Sequence, residues 1–336
     1  MAAAKSALLK LRNPTDVVGL ALGHLEEGKV SAVRLRTRGG KRELVAAGVL
    51  ELPGALPPDW ESARRSAQWT LPAPFQAPHA ALVATSAEAV LRLTQQQAPT
   101  VSTEPQAQNG QRQAMRLAMP PDLCLEASLP ECQVLWLSRL LPEGRQPTAC
   151  SIQTAQAAML NAPLAVPDFE AAGGAALVLL VEARRMLLVA YHAYCPVLVR
   201  EQALGYESVA EALATGLGIE RHLLESMLEE HLVDPLPILE PQLEPLLRQL
   251  GLAGDYVAQR FGATPSCALL IGVPERMAPL WLEAAGRSAG ALKLLAPAPL
   301  AGLAAVRGMP GEGLTDVALW PALCGALAVL EEKGDE

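Results

Sequence analysis

Three short apolar runs open the chain: VVGLAL at Val17–Leu22, VSAVRL at Val30–Leu35 and ELVAAGVLEL at Glu43–Leu52, the last two separated by the turn pair Gly39–Gly40. Short runs with β-branched side chains, punctuated by glycine, predict strands, here a three-stranded antiparallel meander. Pro-rich stretches then flank a short helix expected around Trp60–Trp69, and Ala80–Thr85 predicts another strand leading into SAEAVLRL. The pattern returns in the second half. Ala176–Val181, Met186–Tyr191 and Val197–Gln202 predict a second meander, closed by Gly205. The period then changes: Ile219, Leu223, Leu224, Met227 and Leu228 form one apolar stripe of a helix expected over Ile219–His231. Leu243, Leu246, Leu247 and Leu250 form another. A strand at Cys267–Ile271, a helix carrying Met277, Leu280, Trp281 and Ala284, and a strand at Ala291–Leu295 follow. A final helix is expected to start at Pro321, since proline suits a first helical turn. Both halves therefore read as a meander followed by helix and strand.

Residues 94–114, TQQQAPTVSTEPQAQNGQRQA, break this rhythm with seven Gln and almost no large apolar side chain. Such a segment buries too little to offset its ordering entropy, which predicts a mobile loop or linker. Elsewhere, apolar residues make up 51% of the 336 and aromatics only 4%, so the core is built mainly of Leu, Val and Ala. A net charge of −8 argues against a general nucleic-acid binder, which needs basic stripes, and against adhesion to an anionic bilayer. The most apolar stretch, 175–199, is broken by Glu182, Arg184 and Arg185, so it predicts no membrane-spanning helix. The N-terminus lacks the continuous apolar core of a signal peptide, and a cytoplasmic location is expected.

Candidate chemistry is sparse. Six cysteines without a CxxC pair and five histidines without an HxxxH pair predict reduced core thiols and no metal site. GHLEEGK at Gly23–Lys29 has the spacing of a phosphate-binding P-loop, but Val30 stands where a magnesium-binding Ser or Thr belongs. Its flanks read strand–turn–strand, so a hairpin turn is expected. Arg184 and Arg185 beside Glu182 predict a solvated hairpin end, with an anion site as the sharper alternative.

Four blocks are similar to those of the PilM family of type IV pilus assembly proteins, relatives of FtsA and actin. VVGLALG at Val17–Gly23 followed by KVSAVRLR resembles the family's VVGLDIG, turn and VKAVEL; ATSAEAVLRLTQQQAP at Ala84–Pro99 resembles the entry into its inserted small subdomain. Ala176–Gly205 can be laid without gaps on a segment of the form VVDIGA…TREQxxGG. Ala268–Gly286 with WPALCGALAVL echoes LSGGGARLPGLxxYLAE and PALGLAL. The resemblance implies an α/β fold of actin-like (ribonuclease H-like) duplicated domains with a small inserted α+β subdomain. Residues 1–75 would be the first half of domain 1, and 76–165 the inserted subdomain, with its Gln-rich loop at 94–114, and the return to domain 1. Domain 2 would span 166–310, with a C-terminal helix in 311–336 packing back on domain 1.

The departures from that pattern bear on function. Actin-like ATPases hold metal with an Asp in each phosphate loop and let backbone N–H groups reach phosphate at glycines. By the same resemblance, the two Asp positions are Ala21 and Leu180, the second-loop glycine is Glu182, and Gly272 of the adenosine loop is followed by Val273, Pro274 and Glu275. Glu26, Glu27 and Glu182 would repel a triphosphate. The degenerate nucleotide loops thus centre on Gly23, Glu182, Gly205 and Gly272, with no catalytic or metal-binding residue and no cofactor expected beyond weak ATP binding without hydrolysis. The expected function is a cytoplasmic scaffold, a pseudo-ATPase at the inner face of the cytoplasmic membrane. It would bind the N-terminal peptide of a PilN-like inner-membrane protein in a groove between the first and inserted subdomains. A cytoplasmic type II secretion platform component of the same fold and an actin-superfamily sugar or acid kinase are the alternatives.

Overall fold

The computed structural model describes residues 14–22, 28–52, 69–86, 88–95, 112–119, 123–141, 147–166, 174–193, 195–230, 232–265, 267–286, 292–297, 300, 303–305 and 318–331. Three strands, β1 (Asp16–Leu22), β2 (Lys29–Arg38) and β3 (Lys41–Glu51), form the expected antiparallel meander. Asp16 anchors its start: the carboxylate accepts a two-pronged pair of bonds from Arg34 at 2.8 Å each and two more from Arg36 at 3.1 Å. Next to β1, β4 (His79–Ala84) runs parallel. The chain then leaves this sheet for β5 (Val90–Gln95), β6 (Arg112–Met119) and β7 (Leu123–Pro130), a separate antiparallel sheet in the order β5-β7-β6, followed by α1 (Glu131–Ser138). It returns as β8 (Ala149–Thr154), parallel to β4, and turns into α2 (Ala155–Met159), where the Thr154 hydroxyl accepts the Ala157 N–H at 3.0 Å.

The second half repeats the plan. Strands β9 (Ala175–Val181), β10 (Met186–His192) and β11 (Cys195–Gln202) form a meander. Three helices follow: α3 (Tyr206–Leu217), α4 (Leu224–Glu229) and α5 (Leu236–Phe261). Then β12 (Cys267–Ile271) runs parallel to β9, α6 (Ala278–Gly286) crosses over, and β13 (Lys293–Leu295) completes a sheet ordered β11-β10-β9-β12-β13. A two-residue strand, β14 (Ala304–Ala305), rejoins the first sheet beside β3, and α7 (Leu319–Glu331) closes the described chain. The first sheet reads β14-β3-β2-β1-β4-β8. Without β14, the two sheets share one strand order and one pattern of parallel and antiparallel neighbours, so the chain is an α/β duplication. Among the described residues no helix is long and apolar enough to cross a membrane.

Several expectations shift. The helix expected over Ile219–His231 is a 3-10 turn at Arg221–Leu223 and the short α4, with Leu223 of the proposed stripe exposed. The dominant helix is α5, 26 residues long, which the sequence disguises with Pro241 and Pro245 inside it. Pro237, Pro241 and Pro245 recur every fourth residue on its exposed face, so carbonyls deprived of an N–H partner face water. The segment 94–114 is not wholly a loop. Thr94 and Gln95 end β5, residues 112–114 open β6, and residues 96–111 lie outside the described residues, as do residues 60–68 of the helix expected at Trp60–Trp69.

One apolar cluster joins the facing sides of the two large sheets: Val17, Ala21, Leu35 and Val83 from the first, and Val178, Leu180, Val189 and Ile271 from the second. It also holds α7, whose Leu319, Trp320, Ala322, Leu323, Cys324, Ala326 and Leu327 are buried. A helix buried all round needs no polar face. Its close seat depends on missing side chains: a Cβ on Gly19 would land on the Ala322 carbonyl, and one on Gly325 would strike Val83. Gly19→Ala is therefore expected to lower unfolding free energy by about 2–3 kcal/mol in urea titration. Gly251→Ala, on the open surface of α5, is expected to raise it by roughly 0.5–1 kcal/mol.

Candidate functional site

The turn between β9 and β10 is held by close backbone contacts from the start of α3 and the end of β12. Its ends are closed by the Glu182 N–H, which donates to the Arg185 carbonyl at 2.8 Å. The start of α3 then grips the turn: the Tyr206 N–H donates to the Glu182 carbonyl at 3.0 Å, and the Glu207 N–H to the Ala183 carbonyl at 2.8 Å. Gly205 permits that approach, because a Cβ there would strike the Ala183 backbone. Gly272, at φ +90°, follows β12, and a Cβ on it would land on the Val181 carbonyl. Three of the four loop positions singled out in the sequence, Glu182, Gly205 and Gly272, thus converge on one turn. Both glycines serve backbone-on-backbone packing there. Gly23 lies outside the described residues, while Lys29 opens β2 of a strand–turn–strand unit.

Facing this turn are the ends of β1 and β4. The Leu22 carbonyl accepts the Thr85 N–H at 3.1 Å, and the Ser86 carbonyl accepts the Ala89 N–H at 3.1 Å. Arg185 spans the gap. Its Nε donates to Glu182 Oε2 at 2.6 Å, its Nη1 to Glu201 Oε1 at 3.4 Å, and its Nη2 to the Ser86 carbonyl at 3.3 Å. Burial pulls the guanidinium pKa down, but the Glu182 and Glu201 carboxylates more than reverse this and hold it above its ordinary value. The expectation of a solvated hairpin end holds for Arg184, whose side chain is 86% exposed, and fails for Arg185, at 19%. In the sequence only a charged cluster beside Glu182 was visible; the partner Ser86 is 99 residues away.

Below this contact the cleft is apolar. Ala21 and Leu180, at the two positions where the resemblance calls for aspartate, are 3% and 1% exposed and sit in the same cluster as α7. Tyr191 of β10 ties the second sheet to the turn after α2, its hydroxyl donating to the Leu160 carbonyl at 2.8 Å. Among the described residues, no group of three or more His, Cys, Asp or Glu is placed to hold a metal ion.

A second concavity, of about 200 Å³, lies between the first sheet and the small one. Ala114, Ala127, Leu129, Val134 and Ile152 supply its apolar lining, and Gln113, Gln153 and Thr154 its polar lining. None of these side chains carries a charge. Two strands that end their sheets contribute to it: β8, last in the six-stranded order, and β6, last in the three-stranded order. Gln133 and Gln156, in the helices next to this wall, are each 2% exposed, and the Oε1 of each lacks a hydrogen-bond partner. The sequence reading had no access to these residues, because the register that aligns β6, β7 and β8 is a product of tertiary pairing.

The duplicated strand order, the facing sheets and the inserted sheet define an actin-like ATPase fold. A chain of the PilM–PilN type IV pilus biogenesis complex superposes with a TM-score of 0.63 and 15% identity, over 94% of this chain and 99% of that one. A Bacteroides thetaiotaomicron protein with an actin-like ATPase fold and unknown function gives 0.44 at 6% identity, covering 85% of this chain and 91% of its own. Component A of the (R)-2-hydroxyglutaryl-CoA dehydratase of Acidaminococcus fermentans gives 0.45 at 9%, covering 95% and 98%. No protein-family model and no curated protein sequence matches the chain.

Because Leu180 is sealed among apolar neighbours, Leu180→Asp would bury a carboxylate without a partner. It is expected to lower stability by about 3–5 kcal/mol in denaturant titration at pH 7, with recovery as the carboxyl protonates at lower pH. The sign follows from burial raising the native pKa of the new group above its unfolded value.

Proposed function

We propose that the chain is a non-catalytic scaffold of a type IV pilus or related secretion machine. It binds the cytoplasmic N-terminal peptide of a PilN-like inner-membrane protein and lies at the inner face of the cytoplasmic membrane through that partner. The observation that carries this reading is the uncharged groove between the ends of two sheets. An extended peptide can add its backbone hydrogen bonds to a free strand edge while alternate side chains enter pockets. The groove's Leu129, Val134 and Ile152 suit apolar anchors, and Gln113 and Gln153 suit main-chain groups. The likeness to a chain of the PilM–PilN complex supports the choice of partner.

The reading includes a pseudo-ATPase. Ala21 and Leu180 offer no oxygen to a metal ion, and the carboxylates of Glu182 and Glu201 crowd the turn where phosphate binds in active relatives of this fold. ATP hydrolysis above background is not expected.

Titration with the cytoplasmic N-terminal peptide of a PilN-like inner-membrane protein tests the proposal. Ordering a free tail offsets much of the contact energy, so a Kd of about micromolar is expected. An uncharged groove predicts a change of less than about threefold between low and high salt, and excess MgATP leaves the Kd unmoved. Ile152→Glu is expected to weaken binding at least ~10-fold by placing a charge in the groove. Absence of binding together with tight ATP binding overturns the scaffold in favour of an enzyme.

A further inference from the structure

The carbonyl that receives Arg185 belongs to the turn through which the chain leaves the first sheet for the inserted one. Strand β4 ends at Ala84, the Ala89 N–H bonds back to Ser86, and β5 begins at Val90. The Glu88 N–H also donates to the Ser86 hydroxyl at 3.2 Å. Two arginines hold this turn from opposite sides. From the inserted sheet, Arg112 of β6 donates to the Glu88 carbonyl, and to the carbonyl and hydroxyl of Ser128 in β7 at 3.2 and 3.3 Å. From the second large sheet, Arg185 reaches Ser86, itself fixed by Glu182 and by Glu201 of β11, a strand that packs beside β5.

The turn is one of two connections between the first sheet and the inserted one; the other runs from β7 through α1 to β8, where Leu129, Trp136 and Leu137 pack into the first sheet's core. The groove has one wall on the inserted sheet, at Gln113, Ala114, Ala127 and Leu129, and the other on β8, at Ile152, Gln153 and Thr154. A shift of the inserted sheet relative to the first would move one wall against the other. In an enzyme of this fold, the facing loops are bridged by a nucleotide and its metal. Here a protein side chain makes the bridge.

We propose that Arg185 is the positioning residue of the peptide groove: by pinning the Ser86 turn to the β9–β10 turn, it holds the inserted sheet at a fixed spacing from β8. The inference rests on the groove being the binding site, and it adds what controls that site. A groove held in one spacing binds without first selecting a minor conformation, so loosening it lowers apparent affinity by the fraction of time it is mis-set. The bridge needs the planar fork of an arginine, since a lysine ammonium cannot serve carboxylates and a distant carbonyl at once.

Hydrogen–deuterium exchange on the peptide-free, full chain tests this directly, with peptide titration run in parallel. In Arg185→Met, amides of β5, β6 and β7 are expected to exchange about tenfold faster or more, the scale of losing a charge-assisted bond. Those of β9, β10 and β12 should stay at native rates, and peptide Kd should rise about fivefold or more. The double variant Glu182→Gln/Arg185→Met removes the orphaned Glu182 charge as well. It is expected to keep the loosened inserted sheet, because the Ser86 contact is still missing. Native exchange in β5–β7 of Arg185→Met, or its restoration in the double variant, overturns the proposal. Should Arg185→Met not fold, Arg185→Lys is read against the same criteria. Native protein that fails to bind peptide while Arg185→Met loosens β5–β7 removes the partner and leaves Arg185 as the anchor of the inserted sheet. Peptide bound equally well by native and Arg185→Met protein keeps the partner and removes Arg185 as the positioning residue.

Discussion

The molecule depends on the apolar seam where its two large sheets face each other. Helix α7 is buried in that seam against β1 and β4, and it gets close enough only because Gly19 and Gly325 lack side chains. Dispersion and exclusion of water across Val17, Ala21, Val178, Leu180 and Leu327 then bind the halves. An actin-like ATPase requires the opposite compromise. Its halves must leave room for a charged nucleotide and hold carboxylates and metal between them, with the strain of desolvating those charges. Ala21 and Leu180, at the positions where the resemblance calls for aspartate, are part of the apolar core instead.

At the mouth of the seam a single guanidinium meets three oxygens. The result is a partly buried cluster with one more carboxylate than cations, in which Glu182 and Glu201 flank Arg185 and the remaining bond goes to backbone. Such a bridge is made by the chain's own side chain, which suits the proposed scaffold role. The surface proposed for that role is the groove between β6 and β8, whose lining side chains carry no charge. Fold, bridge and groove are consistent with one another: two halves joined by an apolar seam, an inserted sheet, and two edge strands between which the proposed peptide would lie.

Much of the fold was legible in the chain because local pattern and tertiary role agree there. Val17–Leu22, Ala176–Val181 and Cys267–Ile271 are central strands buried on both faces, and they read as continuous apolar runs. Helix α5 was only half legible, since its prolines are tolerated by exposure, a property that sequence does not display. The small sheet was harder. LCLEASLP of β7 alternates weakly, and its partners lie across residues with little apolar signal. As for the site, Glu182, Gly205 and Gly272 could be picked out by their motif positions, and their convergence on one turn follows from pairing of β9, β10 and β12. Arg185 could not be ranked above Arg184 from sequence, because what separates them is burial against a carbonyl contributed by the other half.

The central claim is that binding has moved from the cleft to the groove. Difference hydrogen exchange with two ligands, the pilus inner-membrane peptide and MgATP, tests it most directly. The account predicts that peptide slows exchange in β6 and β8, at residues 112–119 and 149–154, and that MgATP at millimolar concentration changes nothing in Val181–Arg185 or around Gly272. Protection of that turn by MgATP, with β6 and β8 unaffected by peptide, would contradict it.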